Sequence, residues 1–349
     1  MAESTQRFLV IRLSSIGDIV HALPAVAALG ETFPQAEIHW AVETRFAMLL
    51  DGNPFVRRLI KLDTLGWRKK IASLETFKSV ARGAAALREV TYDTALDFQG
   101  LYKSAAIAWL SRSRARLGFN EAWLREPVAA MLYTERVSPG GRKHVIEMNM
   151  ALAERAGAKP VSRSGWKFPL PRDAADDCYV EQRLAALGAP EFIVINPGGG
   201  WKSKCWSPDA YAELLGFLRD QLTLDFLLTG STGEEPLIQN IVERSSVPRA
   251  RYFPSTISQF IALVRRAKLF LGGDTGPMHL AAAVGTPIVA IYGPTNPERN
   301  GPFSPLDIAL WNRGPVNHTR RNASAGYIEG VTVESVLAAI RERLARTHG

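Results

Sequence analysis

Short apolar runs alternate along this chain with segments whose apolar residues recur at helical spacing. The clearest instance is 267–294, AKLFLGGDTGPMHLAAAVGTPIVAIYGP. Ala267–Leu271 predicts a buried strand, and Gly272-Gly273-Asp274-Thr275-Gly276 a tight turn. Pro277 suits the first position of a helix over Met278–Val284; Gly285 ends it, and Pro287–Tyr292 is the next strand. The amino-terminal part repeats the pattern. Arg7–Leu13, Ile38–Val42, Val56–Leu62 and Tyr92–Asp97 read as strands, and Arg45–Leu50, Glu75–Arg88 and Leu101–Ser111 as helical. Ser14–Asp18 reads as a loop and Ile19–Leu29 as a helix in which Pro24 forces a late start or a kink. The alternation begins afresh at Phe192–Asn196. Helix Asp209–Gln221, strand Asp225–Thr229, helix Glu234–Ser245, a strand near Tyr252 and helix Ile257–Arg266 follow. Strand–helix alternation predicts an α/β protein with parallel sheets covered on both faces.

Gly165–Arg172, rich in proline, predicts a linker. The expected division is therefore a Rossmann-like domain over 1–165, a second over 173–325, and a last helix within 331–349 that packs back on the first domain. Two such halves facing each other would form a cleft at their strand ends, where ligands of open α/β sheets bind. A chain of 349 residues with 46% hydrophobic content suits two globular domains and excludes wholesale disorder. Cys178 and Cys205 are too few for a disulfide framework or a metal cluster, as a reducing cytoplasm would allow. Arg12 interrupts the first apolar run, so no secretory layout is expected, and no apolar run reaches membrane-spanning length. The net charge of +8 calls for an anionic partner: nucleic acid, acidic membrane or phosphorylated substrate.

Neither half carries Gly-x-Gly-x-x-Gly after its first strand, which argues against a nicotinamide or flavin enzyme. Gly198–Ser203 lacks the Gly-Lys-[Ser/Thr] ending of a P-loop, which argues against a kinase or ATPase. Asp274-Thr275-Gly276 has no second copy, as an aspartic protease would need. The turn before Pro277 is either a plain strand–helix turn, as many α/β proteins have, or an anion site, because a helix start offers free N–H groups and a positive dipole end. Thr275 can add a hydroxyl, Asp274 can accept from sugar hydroxyls, and His279 lies one turn in. Asp18 is either a helix cap or a base for an acceptor hydroxyl. Lys202 and Lys204 can neutralise a diphosphate, or be solvated loop charge. Glu234 and Glu235 can pair with ribose hydroxyls, or only favour a helix start. Arg57, Arg58, Lys61, Trp67, Arg68, Lys69, Lys70, Lys78 and Arg82, with Arg112, Arg114, Arg116, Trp123 and Arg125, are either solvated faces or a surface for phosphorylated lipid at a membrane, which they suit better than nucleic acid, for which no motif is present. His21, His144 and His279 are too scattered in sequence to read as a metal site, though folding could gather them, and no His-x-x-x-His or Asp-x-Asp appears.

Four stretches, in order, resemble one family. Arg12–Pro24 (RLSSIGDIVHALP) is similar to the amino-terminal signature of the lipopolysaccharide heptosyltransferases of glycosyltransferase family 9. Asp97–Ala105 (DFQGLYKSA) and Arg125–Tyr133 (REPVAAMLY) resemble its heptosyltransferase I branch. Gly273–Ala281 (GDTGPMHLA) with Tyr292–Thr295 (YGPT) resembles its donor-site signature. The resemblance implies a GT-B fold, an ADP-heptose donor, and an acceptor of Kdo-bearing lipid A at the inner face of the inner membrane. It implies transfer with inversion, with no metal and no cofactor. Asp18 falls on the family's base and Lys204, in KCW, on its phosphate-neutralising lysine. Asp274, Thr275, Gly276 and His279 fall on the donor site, and Glu234 or Glu235 near the ribose glutamate. Arg68, Lys69, Lys70, Lys103 and Arg125 are then the expected acceptor contacts. The loop before Lys204 departs from the family, and the tail Asn312–Gly330 lacks the cysteine that some relatives carry. Three rivals stay open: a transferase with another acceptor, such as heptosyltransferase II, a nucleotide-sugar epimerase of the same architecture, and a silent binding protein.

Overall fold

The computed structural model describes residues 5–69, 73–199, 204–312, 328 and 330–346; of Arg68 and Lys69 only the backbone is described. It divides into two compact units, Met1–Pro171 and Arg172–Gly349, at the end of the proline-rich stretch expected to link them.

The first unit holds strands β1 (Arg7–Ile11), β2 (Glu37–Glu43), β3 (Arg58–Leu62), β4 (Thr94–Asp97), β5 (Ala115–Phe119) and β6 (Glu135–Val137). They form one parallel sheet in the order β3-β2-β1-β4-β5-β6. Helices α1 (Ile16–Thr32), α2 (Thr64–Lys69), α3 (Leu74–Arg88), α4 (Tyr102–Leu110) and α5 (Val145–Arg155) connect the strands. Phe8 to Ile11 are fully buried, as a central parallel strand covered on both faces requires. The second unit begins with α6 (Ala174–Leu187) and repeats the design. Strands β7 (Phe192–Asn196), β8 (Asp225–Leu228), β9 (Ala250–Tyr252), β10 (Leu269–Gly273), β11 (Ile288–Tyr292) and β12 (Ile308–Trp311) pair in the order β12-β11-β10-β7-β8-β9. All are parallel. Helices α7 (Pro208–Gln221), α8 (Glu235–Ser245), α9 (Ile257–Val264), α10 (Gly276–Ala283), α11 (Pro297–Asn300) and α12 (Val333–Ala345) complete it. Both sheets have the doubly wound Rossmann order, so each has one point where the winding reverses, β1/β4 and β7/β10.

Three expectations change. The first helix begins at Ile16, not Ile19, and runs through Pro24 to Thr32. Its Gly17 and Ile19–Leu29 are all buried, and that packing outweighs the backbone bond Pro24 cannot donate. Strands β5, β6 and β12 were not legible: β5 and β6 are short and broken by charged or small residues, and β12 (IALW) is a four-residue run that is not fully buried. The last helix does not join the first domain's core. Val336, Ala339 and Ile340 of α12 are buried in the second unit's core with Leu214 and Leu215 of α7 and Val289 of β11. Its apolar stripe finds the nearest open face of its own sheet. Trp206 Nε1 donates to the Val331 carbonyl at 2.8 Å, and Arg343 Nε to Asp307 Oδ1 at 3.0 Å.

The Arg343–Asp307 pair is buried, and Asp307 also accepts from the Ile288 backbone at 3.0 Å. Arg343→Met strands that carboxylate, so urea unfolding of the second unit should show a loss of about 3–5 kcal/mol. Adding Asp307→Leu should recover most of it; equal cost for the single and double variants would mean the pair does not secure α12.

Candidate active site

In the first unit the chain leaves β1 through Arg12, Leu13, Ser14 and Ser15 and enters α1. The Ser14–Ser15 peptide is cis. Asp18 is the third residue of the helix. Its Oδ2 accepts from the Ser15 backbone N–H at 3.0 Å and from Ser15 Oγ at 2.9 Å. Its Oδ1 is ion-paired to Arg12. Asp18 therefore caps its helix, as one of the two sequence readings held, yet its side chain keeps 40% exposure. The Arg12 guanidinium is buried and also donates to the Phe98 carbonyl after β4, so it bridges the point where the sheet reverses. Leu13 N–H donates across the same point to Gln99 Oε1 at 2.7 Å.

Asp97, at the end of β4, shapes the loop that follows. It is fully buried and accepts from Tyr133 OH at 2.7 Å, Ser104 Oγ at 2.8 Å and the N–H groups of Gln99 and Gly100 at 2.9 and 3.1 Å. Burial pushes its carboxyl up, and those donors pull against the rise. Gly118 makes room for the Tyr133 ring, since a Cβ there would lie 2.2 Å from it. Glu126 accepts from the Tyr102 N–H at the start of α4 at 2.7 Å. Two of the quoted motifs are thus halves of one network. Lys103 on α4 reaches Thr64 Oγ1 at 3.4 Å, and Thr64 in turn donates to the buried Glu43. Arg125 is exposed on the neighbouring loop. Lys70 lies outside the described residues, as do the side chains of Arg68 and Lys69. His21 and His144, far apart in sequence, are brought together with ring centroids 5.8 Å apart.

In the second unit the reversal point carries the opposite arrangement. Asp274 follows β10, and Thr275 is the N-cap of α10. Asp274 was expected to accept from sugar hydroxyls. Instead it is buried and its oxygens serve the protein. Oδ2 accepts from Lys204 Nζ at 2.5 Å and Thr295 Oγ1 at 2.8 Å; Oδ1 accepts from Asn300 Nδ2 at 2.8 Å and faces His279 Nε2 at 3.4 Å. Burial alone would raise its pKa, but the hydrogen bond from His279, the charges of Lys204 and His279, and the bond from Lys204 hold it well below the usual range. Lys204 also donates to the Asp274 carbonyl at 3.4 Å, and its side chain retains 14% exposure. The loop after β7 can approach β10 this closely because Gly273 has no side chain: a Cβ there would sit 3.0 Å from the Lys204 carbonyl oxygen.

The two glutamates separate. Glu234 Oε2 accepts from Ser231 N–H and Oγ, both at 2.8 Å, and its Oε1 lies where a Cβ on Gly198 would meet it at 2.0 Å. It therefore sits against the loop after β7. Burial and, second, the Glu234 charge push up the thiol of Cys205, next to Lys204. Glu235 instead accepts from Gln239 along α8 at 3.0 Å. Lys202 lies outside the described residues. Sequence reasoning missed Arg12, Thr295 and Asn300. Arg12 and Thr295 stood inside quoted motifs without a role, and Asn300 had no local signal. Among the described residues, no three His, Cys, Asp or Glu gather as metal ligands would.

The chain is similar to known proteins over most of its length. The model of glycosyltransferase family 9 (heptosyltransferase) matches residues 80–327. The chain is 30% identical to lipopolysaccharide heptosyltransferase 1 of Pseudomonas aeruginosa, over 88% of this chain and 84% of that one. It is similar in structure to E. coli heptosyltransferase WaaC with ADP, at TM-score 0.80 and 25% identity, covering 97% of this chain and 100% of that one. It is also similar to WaaC with ADP-2-deoxy-2-fluoro heptose, at TM-score 0.76 and 25% identity, covering 97% and 99%. The likeness spans both Rossmann units and shows the GT-B fold. On this match of sequence and architecture, the chain belongs to glycosyltransferase family 9, the heptosyltransferases.

Proposed function

We propose that this chain moves heptose from ADP-heptose to a Kdo residue of Kdo-lipid A, with inversion and without a metal. One observation carries the reading: a lysine ammonium is fixed at the ends of β7 and β10, beside the start of α10. A departing diphosphate gains negative charge as the bond to the sugar breaks. A cation already held in place, with helix N–H groups beside it, meets that charge with little reorganisation. Asp274 is then a positioning residue, which keeps Lys204 and His279 aimed and takes no sugar hydroxyl itself. Thr275 and Gly276 offer the helix start to the phosphates. Glu234, set against the β7 loop, is the ribose partner, and Glu235 belongs to α8. The ADP and the fluorinated ADP-heptose bound by the E. coli relative support this donor.

Asp18 supplies the base. It takes the proton of the acceptor hydroxyl as that oxygen bonds to the anomeric carbon from the face opposite ADP. The electron pair of the broken carbon–oxygen bond leaves with the diphosphate. Arg12 and Ser15 hold the carboxylate in one orientation while its exposed side meets the acceptor. Lys103 and Arg125 meet the acidic groups of the acceptor; Arg68, Lys69 and Lys70, the other expected contacts, have side chains outside the described residues. The enzyme then works as a peripheral protein at the cytoplasmic face of the inner membrane, and nucleic acid has no part.

Asp18→Asn should lower kcat by about 10²- to 10⁴-fold while calorimetry shows ADP binding intact. Near-normal turnover would leave Asp18 as a cap only. Acceptors bearing Kdo alone, compared with ones already carrying heptose, should be preferred; the reverse preference moves the protein to a later transfer.

Lys204→Ala should lower kcat by about 10²- to 10³-fold, more than it raises KM. Asp274 has a depressed pKa, so its contribution to stability is full above about pH 4 and fades as pH falls through its folded value. The cost of Asp274→Asn in unfolding experiments should therefore be greatest at neutral pH and shrink on acidification. A cost constant through the acid range would mean that the ionised form gains nothing from Lys204 and His279.

A further inference from the structure

The first unit carries a feature that catalysis does not use. Residues 1–171 contain 24 Lys and Arg against 16 Asp and Glu, whereas 172–349 contain 18 against 18. The whole net charge of +8 therefore sits on the first unit. Of the eleven large apolar side chains exposed among the described residues, nine belong to it as well. Eight of those nine fall on α3, on α4 and on the two turns Glu121–Trp123 and Pro127–Leu132. These elements are neighbours: α3 packs against α4, α4 against the second turn, and the second turn against the first.

Helix α3 shows what is unusual. A surface helix normally turns its large apolar residues inward. Here the inner face is made of Thr76, Ser79, Gly83 and Leu87, and Gly83 and Leu87 are its buried residues. Leu74 and Phe77 point outward, Phe77 at 72% exposure, and share the outer face with Lys78, Ala81 and Ala85. Arg82 flanks that face, and Glu75 is the helix's single carboxylate. Tyr102 and Trp109 on α4 and Val128 and Met131 on the turn extend the apolar surface, with Met131 at 75% exposure. Arg125 is exposed among them, as are the carboxylates Glu121 and Glu126.

We propose that this face lies on the surface of an anionic lipid bilayer. Leu74, Phe77, Val128 and Met131 enter the boundary between headgroups and chains. Trp109 and Tyr102 sit at headgroup level, where amphipathic rings are favoured. Lys78, Arg82 and Arg125 reach lipid phosphates. Charge chooses this occupant over a second copy of the chain, since two faces of the more basic unit would repel each other. A fluid surface also accepts apolar groups spread over several elements. The inference deepens the reading of a lipid-borne acceptor, but it is tested without donor or acceptor, so each can fail alone.

Full-length protein is sedimented with vesicles of phosphatidylethanolamine and phosphatidylglycerol, and separately with phosphatidylcholine vesicles. The parent should partition onto the anionic vesicles and much less onto the neutral ones. Phe77→Ser with Met131→Ser should lower that partition by about tenfold or more, with ADP affinity unchanged. Lys78→Gln with Arg82→Gln should weaken binding to the anionic vesicles and flatten its salt dependence. Unchanged partition of the serine variant overturns the proposal, as does equal binding of the parent to both vesicles. A dimer of the parent in solution, split by the serine substitutions, would give the face to a second copy and overturn it too.

Discussion

A buried carboxylate must be matched by donors, and in the second unit that requirement organises the reversal point of the sheet. Asp274 sits at the end of β10 with Lys204, His279, Thr295 and Asn300 all turned toward it. Those groups come from the loop after β7, from α10 and from the segment after β11. Desolvation makes an unmatched charge there expensive, so each partner is drawn to a defined place. The lysine keeps 14% of its side chain exposed. The first unit inverts the arrangement: the cation, Arg12, is buried, and the carboxylate, Asp18, keeps the exposure. The same sheet order thus presents a held cation in one unit and a held anion in the other. In the proposed reaction the cation meets the leaving diphosphate and the anion the attacking hydroxyl.

The supporting contacts explain why several motifs occur as sets. Asp97 and Tyr133 lie on separate stretches and meet in one hydrogen bond, while Glu126 reaches back to the start of α4. Thr295 belongs to the strand-end motif after β11 and meets the turn after β10. A residue inside such a motif need not touch a ligand. Asp274 stands in the middle of the donor signature, and its oxygens are taken by four groups of the protein itself.

The outward apolar face of α3 is a departure from the ordinary economy of a helix. Apart from Leu87, its inner face is small or polar, and its large side chains Leu74 and Phe77 remain in water. A sequence selected for stability alone would reverse that pattern. The first unit's core lies elsewhere, around Phe8–Ile11 of β1, which are fully buried.

The alternation of apolar runs and helical spacing was enough to read a parallel α/β chain in two halves, because strand and helix periods are local properties. It found β7 to the residue and the turn before α10. It could not find β5, β6 or β12, whose place is made by the strands they pair with. It left Glu234 and Glu235 as equals, since adjacent residues share every local signal; only the approach of the β7 loop at Gly198 separates them. The apolar stripe of α12 was legible, but not the sheet it covers, and Asp274 looked like a ligand until its four neighbours were in place. Pattern and composition record what each segment prefers. Which charge is buried, and which is left to act, depends on contacts between residues distant in sequence, and those exist only once the sheets have formed.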